Sequence, residues 1–199
     1  MRQHVRIDDG TYGPCDAPEV LECSLGATVL HGTDEEEAKR LSELVLTAPE
    51  PSRAGASGSI LPSFYGRIPV RSEAVLPYLL KLREALPEET FLRAREFKRE
   101  RDRGDEFHLT VITARETRAL RKRGIRFDTK RRFSYELIGV GSAVSPEGDR
   151  TWFVVVSSPE LSAYRESLGL ERLDFHVTLG FIEKDVHGVP KDASTLLAP

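Results

Sequence analysis

Apolar residues recur along this chain at two spacings, every second position and every third or fourth, and the two take turns. Ser63-Phe-Tyr-Gly-Arg-Ile-Pro-Val70 predicts a strand, and Ser72 stands as the N-cap of a helix carrying Val75, Leu76, Leu79, Leu80 and Leu86. Glu106 to Thr113 predicts a second strand. Ala114 to Arg123 holds helix formers throughout, with Gly124 in place for a C′ residue. Phe133 to Ala143 and Thr151 to Ser157 are rich in β-branched and aromatic residues, and Ser145-Pro-Glu-Gly-Asp149 supplies a turn, so they predict a hairpin. Pro159 to Leu168, closed by Gly169, predicts another helix, and Leu173 to Ile182 a last strand before a mostly irregular tail from Glu183.

Elsewhere the pattern is weaker. Residues 91 to 105 are dense in charge and read as an extended ribbon or a loop, while Pro49 to Ser59 lacks periodicity and reads as a mobile loop or linker. Glu19 to His31 has room for one or two strands. Asp34, followed by three glutamates, reads as the N-cap of an amphipathic helix reaching Leu46. Residues 1–62 are expected as an elaboration packed on or capping a domain of 63–199. The whole is an α+β chain with a loose internal duplication.

The duplication is textual at one place. Glu106-Phe-His-Leu-Thr-Val111 recurs as Asp174-Phe-His-Val-Thr-Leu179. On a strand, successive side chains face opposite ways, so each copy sends His and Thr to one side and Phe and the aliphatics to the other. One His-x-Thr triplet on a strand is weak evidence, because most such histidines are structural. Two triplets, each preceded by acid-Phe and interleaved with aliphatics, point to paired half-sites.

Composition narrows the classes. The chain has 199 residues, 39% hydrophobic and 31% charged, which fits a globular domain and excludes a disordered or fibrous one. No apolar run approaches the ~18 residues of a membrane span, and Met-Arg-Gln-His does not open a signal peptide, so a cytoplasmic protein without a membrane partner is expected. Cys15 and Cys23 form no Cys-x-x-Cys pair and lie near no His at metal-ligand spacing. A net charge of −3 argues against a protein that coats long nucleic acid. Locally the sign reverses: Arg118, Arg121, Lys122, Arg123, Arg126, Lys130, Arg131 and Arg132 face only Asp128.

If His108, Thr110, His176 and Thr178 converge, they suit a phosphate. Two imidazoles in opposite protonation states can take a proton from water and give one to a leaving oxygen. Two hydroxyls can donate to the non-bridging oxygens, where transition-state charge accumulates. The scheme needs no metal and no cofactor, and no acidic or cysteine cluster is evident to hold one. A strained 2′,3′-cyclic phosphate, with its built-in leaving hydroxyl, is the substrate that such a site could open.

Phe107-His-Leu-Thr-Val111 and Phe175-His-Val-Thr-Leu-Gly-Phe181 resemble the motif strands of the two-histidine (2H) phosphoesterase superfamily. The resemblance covers roughly Phe64 to Gly188, and Asp174 to Phe181 followed by Asp185-Val-His-Gly188 is similar to an RNA-repair-like branch. It implies a bilobed fold, with two pseudo-symmetric antiparallel sheets, outer helices and a central groove. It also implies hydrolysis of an RNA 2′,3′-cyclic phosphate, a 2′,5′-linked oligonucleotide or an ADP-ribose cyclic phosphate. By the same analogy His108 is the general acid and His176 the base.

Around the site, Tyr65 and Arg67, alternating on one strand face, are candidates to stack on a base and bind a phosphate or ribose. Lys130 and Arg131 represent the basic run that would draw in an RNA end or nucleotide. Tyr135 is a second candidate platform, although a strand aromatic is more often core. His187 follows the second motif closely enough to reach its rim. A monomer is expected. The rivals are a non-catalytic RNA- or nucleotide-binding module, and a metal-dependent phosphohydrolase whose carboxylate set is not evident.

Overall fold

The computed structural model describes residues 4–6, 12–14, 54–102 and 104–197. The chain divides into two units, Met1–Leu44 and Val45–Pro199. In the first, β1 (His4–Arg6) pairs antiparallel with β2 (Tyr12–Pro14), Val5 opposite Gly13. The strands expected between Glu19 and His31 and the helix expected from Asp34 to Leu46 lie outside the described residues.

The second unit is α+β. It runs β3 (Ala54–Ser59), β4 (Leu61–Pro62), β5 (Gly66–Val70), α1 (Ser72–Ala85), α2 (Glu88–Asp102), β6 (Phe107–Ile112), α3 (Ala114–Lys122), β7 (Arg132–Val144), β8 (Arg150–Ser157), α4 (Pro159–Ser167), β9 (His176–Ile182) and a 3-10 turn, Ala193–Thr195. Two antiparallel sheets result, ordered β3-β7-β8-β9 and β4-β5-β6. One core joins them. Ile68, Leu109 and Val111 from the smaller sheet meet Leu137, Val154, Val177 and Leu179 from the larger, with Val75, Tyr78 and Leu82 of α1 and Phe91 of α2. Those α1 positions follow the i, i+3/i+4, i+7 spacing of a buried helical stripe.

Both motif strands, the β7–β8 hairpin, α3 and α4 stand where the sequence puts them. Their ends carry the expected chemistry. Thr113 and Glu116 close a reciprocal capping box on α3, and Ser158 caps α4 through the Leu161 N–H. Gly124 and Gly169 adopt φ of 70° and 69° beyond those helices, a left-handed turn that a side chain would strain.

Four expectations need correction. Residues 91 to 105 are mainly helix, not ribbon or loop: the inward stripe of α2 is Phe91, Ala94, Arg95 and Lys98, at perfect helical spacing, but two of its four members are cations. Their stems are buried and their charges are satisfied locally, so a count of apolar positions overlooks the stripe. Ala54 to Ser59 is not a mobile loop but an edge strand, paired to β7 with Ala54 opposite Leu137 and Ser59 opposite Arg132. At Gly58 a small residue is a packing requirement, since a Cβ there would collide with Ile68 Cγ2. The strand expected from Ser63 to Val70 begins only at Gly66; Ser63 to Tyr65 form the turn that joins it to β4, closed by Ser63 N–H to the Tyr65 carbonyl at 3.1 Å. Ser72 is the first residue of α1, and Arg71 occupies the N-cap with no side-chain cap bond.

Two contacts fix α2 against the second motif strand. A Cβ on Gly180 would lie 2.8 Å from the Ala94 carbonyl oxygen, so the helix crosses β9 at a glycine. Arg95 donates to the Leu179 carbonyl at 2.6 Å and also pairs with Asp105. A further tie holds β6: Arg165 of α4 donates to the Val111 carbonyl at 2.6 Å while pairing with the Glu116 carboxylate.

Candidate functional site

Each motif strand alternates as its sequence demands. His108 and Thr110 are partly buried between fully buried Phe107, Leu109 and Val111, and His176 and Thr178 are partly buried beside buried Val177 and Leu179. β6 and β9 lie close together, although each is hydrogen-bonded into a different sheet. The C-terminal turn of α2 connects their polar faces. Arg101 pairs with Asp185, just beyond β9, and its charge bears on His108 as well.

On β6, register places Arg67 opposite Thr110 and Pro69 opposite His108, so Arg67 shares the polar face of the motif. Arg67 also lies 3.6 Å from Glu106. Tyr65 belongs to the turn before β5 rather than to the strand, yet its hydroxyl reaches His108 Nε2 at 3.3 Å. Phe64 packs edge-on against Tyr65 with ring centroids 4.6 Å apart and is 71% exposed, leaving an open aromatic face beside the histidine. Burial lowers the pKa of His108, with nearby Asp102 acting in the opposite direction.

On β9 the histidine is held at both nitrogens. Its Nδ1 lies 2.8 Å from the Asp174 carbonyl, an acceptor only, so Nδ1 carries the proton and Nε2 of the neutral ring presents its lone pair. Lys191 Nζ stands 3.2 Å from that lone pair. Burial first, and then the Lys191 charge, push the pKa of His176 down to about 4. At neutral pH this imidazole is a free base.

The sequence reading missed what surrounds His176. Phe153 lies opposite Thr178 and Val155 opposite His176, on the motif's own sheet face, yet both are buried. Val186 and Val189 from the segment after β9 cover them in a small second cluster with Ala143 and Ile138. That segment also brings Asp185, which accepts from Thr151 at 3.0 Å, from Lys191 at 3.4 Å and from Thr178 at 3.5 Å, besides pairing with Arg101. These cations hold its carboxyl below the ordinary range, against the effect of burial. The run Asp185-Val-His-Gly-Val-Pro190 has no periodicity to announce this.

The remaining candidates are placed apart from one another. His187 is exposed, and its charge bears on both His176 and Asp185. Lys130 and Arg131 sit in a turn where their backbone N–H groups donate to Asp128, and the Arg131 guanidinium pairs with Glu160 of α4. Tyr135 is 5% exposed within the main core, so the hairpin aromatic packs as a core residue. Among the described residues, no group of three or more His, Cys, Asp or Glu could hold a metal ion, and no helix is long and apolar enough to cross a membrane.

Residues 75–187, which include both motif strands and the end of α2, match the model of the Swiss Army Knife 2H phosphoesterase domain. The chain belongs to the 2H phosphoesterase family, and its activity is of the phosphodiesterase type: hydrolysis of a phosphoester bond. Comparisons with curated proteins and with solved structures gave no significant match.

Proposed function

We propose that this protein hydrolyses a 2′,3′-cyclic phosphate, on an RNA end or a nucleotide, with His176 as general base and His108 as general acid. The observation that carries the assignment is the tautomer of His176. Its Nδ1 is committed to the Asp174 carbonyl, and its Nε2 is left as an unprotonated acceptor at neutral pH. A water proton can go there, while the water oxygen forms a bond to phosphorus and the bond from phosphorus to one ribose oxygen breaks. The departing oxygen takes its proton from His108. Thr110 and Thr178 donate to the non-bridging oxygens, and the product is a phosphomonoester beside a free ribose hydroxyl.

His108 must be protonated to act, and burial first, then the charges of Arg67, Lys98 and Arg101, disfavour that. The dianion-like charge that develops at phosphorus favours the imidazolium, so substrate itself helps to load the acid. Asp102, 2.9 Å from Lys98 and bonded to Arg101, adds in the same direction. A nucleotide substrate is supported by the exposed Phe64 against Tyr65, a surface suited to stacking on a base. Lys130 and Arg131 are then an outlying electrostatic contribution to a longer RNA, and a 2′,5′-linked or ADP-ribose cyclic phosphate would use the same four residues.

The test is a panel of nucleoside 2′,3′-cyclic monophosphates, 3′,5′-cyclic monophosphates and simple monoesters, with products separated by chromatography. Turnover confined to the 2′,3′-cyclic diesters supports the reading. Binding without turnover over the whole panel would replace it with a nucleotide-binding module.

A further inference from the structure

Lys191 lies four residues beyond the stretch that matches the family model, in the segment that folds back over the polar face of β9. Its backbone is anchored by Lys191 N–H to Asp174 Oδ2 at 3.2 Å, and farther along Leu197 N–H donates to the Val140 carbonyl at 2.9 Å. The side chain is 4% exposed, and its ammonium stands over the Phe153 ring, 5.4 Å from the centroid. Of three ammonium protons, one is directed at His176 Nε2 and one at Asp185 Oδ1. Among the described residues the third has no acceptor.

The position is the informative part. The atom that exchanges protons with His176 during turnover must come within hydrogen-bonding distance of Nε2, and Lys191 Nζ is already there at 3.2 Å. The charge balance is also open. Among the described residues Lys191 shares its partner carboxylate, Asp185, with Arg101. A buried cation that lacks a full counter-charge invites an anion.

We propose that Lys191 is a phosphate-contacting residue of this site: in the free protein its ammonium holds His176 Nε2, and with substrate bound it moves onto a non-bridging phosphoryl oxygen, releasing Nε2 to water. This rests on His176 being the base. The groups that face the His176 ring are Lys191, Asp185 and His187, with Arg101 acting through Asp185 and the Asp174 carbonyl fixing Nδ1. Of these, Lys191 is the one whose removal both frees Nε2 and deletes a cation beside it.

Three measurements test the proposal. In wild-type protein with ¹⁵N-labelled histidine, titration with inorganic phosphate should give a saturable shift of the His176 Nε2 resonance and raise the apparent pKa of that ring; no response up to tens of millimolar phosphate overturns the proposal. Lys191→Met should move the acid limb of kcat/KM upward toward the ordinary histidine range and lower kcat/KM by about 10²-fold, the scale of losing one transition-state donor. Lys191→Arg should recover a substantial part, because it keeps a cation at that point. Wild-type kcat/KM and an unmoved pH profile in folded Lys191→Met would refute the role of Lys191 while leaving the two-histidine chemistry standing. Full activity in His176→Ala would instead remove the base on which both readings depend.

Discussion

The Arg101 guanidinium, in the last turn of α2, pairs with the carboxylate of Asp185, three residues past the end of β9. Eighty-four residues apart in sequence, they tie the helix that leads into the first motif strand to the segment that leaves the second. Asp185 is 7% exposed at its side chain and satisfies Thr151 and Lys191 as well. It is the anionic centre of the His176 half-site.

Replacing Asp185 by Ala therefore leaves the Lys191 ammonium buried without its counter-charge and Thr151 without its acceptor. Removing one partner of a buried pair typically costs about 3 kcal/mol. Urea denaturation at pH 7 should show a loss of that order, with Asp185→Asn losing less because it keeps hydrogen-bonding capacity. A change below ~0.5 kcal/mol for the alanine variant would show that Asp185 is not the centre of that network.

Tyr65→Phe removes the hydroxyl beside His108 Nε2 and keeps the ring that packs on Phe64. The expected result is a several-fold fall in kcat with KM little changed, since a net hydrogen bond contributes about 1 kcal/mol. Phe64→Ala is expected to do the reverse, raising KM for nucleotides with little effect on kcat. Steady-state kinetics on one cyclic nucleotide distinguishes the two patterns.

Acid should weaken the fold through His176. Its pKa is about 4 in the folded state against about 6.5 unfolded, so between those values the unfolded chain binds the extra proton. Stability is then complete above pH ~6.5 and is lost as pH falls toward about 4, by up to roughly 3 kcal/mol from this residue. His108, also lowered, acts with the same sign. Denaturation curves at pH 7 and pH 4.5 for wild type and His176→Gln should show a smaller pH dependence in the variant. Equal dependence would mean that the ring is not held neutral by the fold.

Gly180→Ala probes the crossing of α2 over β9. The added Cβ would meet the Ala94 carbonyl oxygen at 2.8 Å, and neither backbone can yield freely, so a loss of roughly 1–3 kcal/mol is expected. An unchanged midpoint in thermal denaturation would mean that the helix can ride outward without cost.

The motif strands and hairpin were legible because each buries an apolar face of the right period, and α3 and α4 because helix formers are bounded by residues with a known cap role. The helix α2 was hidden because Arg95 and Lys98 occupy half of its buried stripe, and their suitability for burial depends on Asp102, Asp105, two carbonyls and the Phe107 ring, which only the fold assembles. The strand β3 was hidden because Ala54-Gly-Ala-Ser-Gly-Ser59 carries no large apolar residue, and at Gly58 the closeness of Ile68 requires a small one. At the site, His108, Thr110, His176 and Thr178 could be read from alternation and repetition. Lys191 and Asp185 could not, because their roles arise from a tail that folds back across a sheet face, and no local spacing encodes that return.

The most direct test of the central claim is hydrolysis of a nucleoside 2′,3′-cyclic monophosphate by wild type, His108→Ala and His176→Ala, with folding checked by circular dichroism and chelator present throughout. The wild type should turn over, and each variant should lose at least ~10²-fold, the scale of losing a general acid or base. Wild-type turnover in either folded alanine variant would contradict that claim.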